Sequence, residues 1–107
     1  DSQWRDVAGM LRSFDYAARV AQREGSSDPV PGSEQAHAAD DWVRRNRRAF
    51  LDGYQHASTG FSSTDLALIR AFELDKAVYE VSYEARNRPG WIDIPLTAIS
   101  RTLEDDA

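Results

Sequence analysis

The chain has 107 residues, room for about one domain, and a second independent core is not expected. With 13 Lys plus Arg against 18 Asp plus Glu the formal charge is −5. That argues against nucleic acid as the main partner, because neutralising phosphates needs an excess of cations. The sequence holds no cysteine, which excludes disulfides, thiolate metal sites and cysteine nucleophiles. Its apolar runs fall far short of the roughly 20 residues that span a bilayer. No signal-peptide pattern is present and the chain does not begin with Met, so it reads as a soluble intracellular domain or as a piece of a longer chain.

In chain order, the first helix is predicted over Gln3–Arg23, with Trp4, Val7, Ala8, Leu11, Phe14 and Ala18 on one buried face. Gly9 inside it costs about 1 kcal/mol relative to Ala, explained either by a close backbone neighbour or by simple tolerance. Gly25, Pro29, Pro31 and Gly32 mark Glu24–Ser33 as a break. The second helix is predicted over Glu34–Ser58, burying Ala39, Trp42, Val43, Phe50, Leu51 and Tyr54, with Gly60 placed to end it. Ser62 and Asp65 form an S-x-x-D capping box for the third helix, and Phe61 and Leu66 occupy the staple positions around it. Pro89 stops that helix. A short fourth helix is predicted over Pro95–Leu103, with proline in its first turn where the missing N–H does no harm. No stretch alternates as a half-buried strand would. The fold class is all-α, three long helices and a short one.

The third helix is apolar nearly all around, which predicts burial on most sides. Its exceptions, Glu73, Lys76, Glu80, Glu84 and Asn87, fall within an arc of roughly 80°. A polar stripe on a buried helix faces either water or a satisfied cleft. Glu80 and Glu84, like charges one turn apart, call for a base from elsewhere or a ligand rich in hydrogen-bond donors. In the first case Lys76 bridges Glu73 and Glu80 while Glu84 meets Arg88. In the second, Trp91 roofs a sugar site, its ring face taking C–H groups while the carboxylates take hydroxyls.

The basic cluster Arg44, Arg45, Arg47 and Arg48 spreads over about half of the second helix's circumference and reads as a solvated face with partner carboxylates. His37 and His56 lack helical ligand spacing, so no metal site is expected. Neither a Gly-rich phosphate loop nor a G-x-S-x-G elbow occurs.

Two runs resemble the maltokinases: RDVAGMLRSFDYAA at Arg5–Ala18 and FELDKAVYEVSYEARNRP at Phe72–Pro89, the latter continued by WIDIPL at Trp91–Leu96. Trp42–Tyr54 is similar too. The family includes glucosamine kinases and trehalose-synthase-fused kinases, and is similar to aminoglycoside phosphotransferases and, more distantly, protein kinases. The resemblance implies the helical end of the C-lobe of a bilobal fold that moves the γ-phosphate of ATP, with Mg²⁺, onto a sugar hydroxyl. Maltose going to maltose 1-phosphate in α-glucan metabolism is the main expectation, and glucosamine the alternative, since paired carboxylates suit an ammonium as well as hydroxyls.

On the same resemblance Asp6 matches a buried Asp that holds the catalytic-loop backbone in shape, Arg12 is structural as well, and Glu80, Glu84 and Trp91 face the acceptor. The family's His-Gly-Asp and Asp-Phe-Glu runs occur nowhere in these residues and are expected shortly before Asp1. No catalytic residue, metal, ATP or Mg²⁺ is therefore expected on this piece by itself. Its partners are the remainder of its kinase chain and a sugar such as maltose, with no nucleic acid and no membrane, in the cytoplasm. A helical interaction module without enzymatic parentage is the competing reading.

Overall fold

The computed structural model describes residues 2–25, 33–57 and 60–106. Four α-helices account for almost all of them: α1 (Ser2–Gly25), α2 (Glu34–Ala57), α3 (Ser63–Asn87) and α4 (Asp93–Asp106), with a 3-10 turn at Pro89–Trp91. The all-α expectation is met, with three long helices and a shorter C-terminal one. Residues 26–32, most of the expected Pro/Gly break, and Ser58, the expected end of the second helix, lie outside the described residues.

The helix starts follow local side-chain chemistry. Ser33 Oγ accepts from the Ala36 N–H at 3.2 Å and opens α2, a signal the sequence reading passed over. At α3 the capping box forms in both directions, each bond 3.0 Å: the Asp65 N–H donates to Ser62 Oγ and the Ser62 N–H to Asp65 Oδ2. Arg88 leaves helical geometry at φ −144°, and Pro89 then begins the tight turn. α4 starts at Asp93, two residues before the expected Pro95, and Pro95 is buried in its first turn. Gly60 adopts φ +91°, a conformation that strains any residue with a Cβ.

The described chain divides into two compact units, and α1 contributes its first half to one and its second half to the other. In the first unit, Ser2–Arg12 joins α3, the 3-10 turn and α4, and α4 and the turn pack on α3. Its buried set is Val7, Ala8, Leu11, Ile69, Ala77, Ile94 and Pro95, together with the charged Arg12 and Glu84. The expected face of α1 is largely right here. Gly9 is settled as tolerance: a Cβ would meet only the mobile Lys76 Nζ at 3.5 Å, with no backbone near. Gly9→Ala is therefore expected to stabilise the chain by about 0.5–1 kcal/mol, through the lower helix cost of alanine. A thermal melt checks this, and a lowered midpoint would show that Lys76 cannot yield.

In the second unit the rest of α1 meets α2. Phe14 sets its edge against Trp42 and Phe50 (centroids 6.2 and 5.9 Å), Phe50 touches Tyr54, and Tyr54 stacks on Phe61 at 5.5 Å. Arg19 bridges Asp15 on its own helix and Asp40 on α2, at 3.2 and 2.7 Å. On α2 the expected burial of Val43 is met and Ala36 is buried as well, but Trp42 is 39% exposed and Ala39, Phe50, Leu51 and Tyr54 are only half-buried. Trp42 meets Phe14 only edge to face, which leaves part of its indole open to water.

Candidate functional site

The largest departure from the sequence reading is α3. Expected to be buried on most sides, it buries only Ile69, Ala77 and Glu84 among the described residues, while Leu66, Leu68, Val78, Tyr79 and Tyr83 are exposed, Tyr79 by 68%. By helical arithmetic the buried side coincides with the arc of Glu73, Glu80 and Glu84. The helix turns the Glu80 and Glu84 part of its polar stripe inward, while Lys76 and Asn87 stay exposed and much of its apolar surface points to water. The reason is that arginines meet the carboxylates, so the seam is satisfied without apolar cover.

Glu80 receives the Arg12 Nε–H at 2.8 Å, both side chains nearly dry at 13% and 5% exposure. Glu84 is 1% exposed, and Arg88, four residues on, grips both its oxygens, Nε to Oε1 at 2.8 Å and Nη2 to Oε2 at 3.1 Å. The i,i+4 spacing on a helix puts the two side chains on one face, which is why the alternative pairing of Glu84 with Arg88 was legible. Lys76, expected to bridge Glu73 and Glu80, forms no ion pair among the described residues; its ammonium lies beside Gly9.

Trp91 reaches this cluster through backbone geometry. Its N–H donates to the Arg88 carbonyl at 2.8 Å and the Ile92 N–H to that of Pro89 at 3.3 Å. That turn folds the indole back over the guanidinium, with Arg88 Cζ 4.2 Å from the Trp91 ring centroid and 5.6 Å from that of Tyr83. The structure thus brings Glu84, Arg88 and Trp91 together and places Glu80 with Arg12. Sequence reasoning named Arg88 only as a salt-bridge partner and missed that it is the contact between the acid and the indole. Arg12 is buried, whereas Asp6, expected to be buried, stands exposed on α1 among the described residues.

Elsewhere the surface is plainer. Arg44, Arg45 and Arg48 are exposed and Arg47 partly so, and Arg45 pairs with Asp41 at 3.0 Å between two well-solvated side chains. His37 is exposed, and the His56 side chain lies outside the described residues. An apolar groove of about 520 Å³ runs between α1 and α2 in the second unit, walled by alanines of both helices with Gln22, Gln35 and Trp42. No group of three or more His, Cys, Asp and Glu able to hold a metal occurs among the described residues. No helix among them is long and apolar enough to cross a membrane.

The chain is similar to a sugar kinase along nearly all of its length. The relative is the glucosamine kinase of Mycolicibacterium smegmatis, 31% identical over 103 residues, a match that covers 94% of this chain and 24% of that protein. The chain therefore spans about a quarter of the length of the curated relative it matches. No protein-family model matches. The likeness is sugar-kinase-like and does not extend to maltokinase in particular.

Proposed function

We propose that this chain is the helical C-terminal part of an ATP-dependent sugar kinase and contributes one wall of its acceptor-sugar pocket. The observation that carries the reading is the similarity to a glucosamine kinase across 94% of the chain. It also favours an amino sugar as acceptor, with maltose as the second reading on the strength of the two signature runs. Of the three residues expected at the acceptor, Trp91 is only partly buried, whereas Glu84 is enclosed and gripped by Arg88. Trp91 is accordingly the residue assigned to sugar contact, with Glu80 and Glu84 behind it.

In this reading ATP and Mg²⁺ are assigned to other residues of the kinase chain, because the sequence contains neither a His-Gly-Asp nor an Asp-Phe-Glu run. Phosphoryl transfer rests on such positioning and cationic parts, so they would belong to the remainder of the kinase chain. The proposed location is the cytoplasm.

The test uses the intact protein that carries these residues. With ATP, Mg²⁺ and glucosamine or maltose it should form ADP and a phosphorylated sugar, while the 107-residue chain alone should give nothing above a blank. Absence of turnover with both sugars would sink the kinase reading. Turnover by the chain alone would sink the division of labour.

A further inference from the structure

We propose that Arg88 is a positioning residue that holds the Trp91 indole in place for its ligand, and that Glu84 acts on Arg88 rather than on the ligand. The sugar part of this inference rests on the kinase reading above. The positioning part rests on geometry alone.

A carboxylate 1% exposed must be paired, and both oxygens of Glu84 are engaged by one guanidinium. Two parallel N–H···O bonds fix the plane of that guanidinium as well as its distance, which a single contact would not do. The Arg88 side chain is itself 45% exposed, and the two bonds to Glu84 narrow the rotamers such a side chain can take. The flat cation lies over Trp91 at 4.2 Å, inside the roughly 6 Å reach of a cation–π contact. The acid therefore orients the base and the base orients the indole. The guanidinium covers one ring face, so the proposed sugar would stack on the other. The electron-rich face of an indole suits the weakly positive C–H groups of a pyranose ring. A lysine at position 88 could keep the charge but not the fork or the stack.

The test removes the other two indoles of these 107 residues with Trp4→Phe and Trp42→Phe in the intact protein, and takes the further variant Trp91→Phe as the background. Arg88→Lys, Glu84→Gln and the double variant are then compared by acrylamide quenching of Trp91 and by steady-state kinetics with glucosamine. Each single variant is expected to raise the quenching constant about twofold and the sugar KM about tenfold, with kcat and the ATP KM little changed. Because the two residues act in series, the double variant should be no worse than Arg88→Lys. Unchanged quenching in Arg88→Lys overturns the positioning role. Effects of the two variants that multiply on sugar KM overturn the assignment of Glu84, since they would mean that it meets the sugar directly. If the parent shows no sugar turnover at all, the kinase reading and the sugar clause fall together, and quenching alone still decides whether Arg88 holds the indole.

Discussion

Glu80→Ala is expected to cost about 3–5 kcal/mol of folding stability, the range for removing one partner of a buried ion pair. Arg12 would keep its charge at 5% side-chain exposure, with the carboxylate 2.8 Å away gone. Urea unfolding followed by circular dichroism measures the change as a shift in midpoint at constant slope. Replacing both partners together, Arg12→Met with Glu80→Leu, should recover most of the loss, because dry charges repay little beyond their own desolvation. A single-variant cost below about 1 kcal/mol would mean that water reaches the pair and screens it.

Leu11→Ala is expected to cost about 2–5 kcal/mol, the transfer term plus the cavity left where α1 enters the first unit. Leu11 is 0% exposed and is among the largest wholly enclosed side chains of the chain. Leu96→Ala on α4 is the natural control, since Leu96 is exposed and its truncation should lie within about 0.5 kcal/mol of zero. Equal losses for the two would show that the core of the first unit is not centred on this face of α1. Leu11→Met, which keeps the volume, should cost less than about 1.5 kcal/mol.

What the sequence made legible was local. Ser62 and Asp65 lie three residues apart, so their reciprocal bonds could be read from spacing alone, and the Glu84–Arg88 pair could be read from its i,i+4 interval. The apolar face of α1 followed from the same periodicity. The orientation of α3 did not, because a helix apolar on nearly every side gives no preferred inward direction. What decides it is Arg12, 68 residues away from Glu80, and no interval in the sequence announces a contact of that range. The Arg19–Asp40 tie escaped for the same reason. The Arg88–Trp91 stack was hidden differently. It needs the 3-10 turn at Pro89–Trp91, whose geometry turns the indole back by a few residues and has no hydropathy signature.

The Arg12–Glu80 clasp also bears on behaviour under heating. Ions are hydrated with a large loss of entropy, so stripping their water becomes easier as temperature climbs, whereas the benefit of hiding aliphatic groups levels off. The grip of α1 on α3 should therefore loosen later in a thermal ramp than an oily contact of equal area would, which makes this charged clasp a warm-weather fastening.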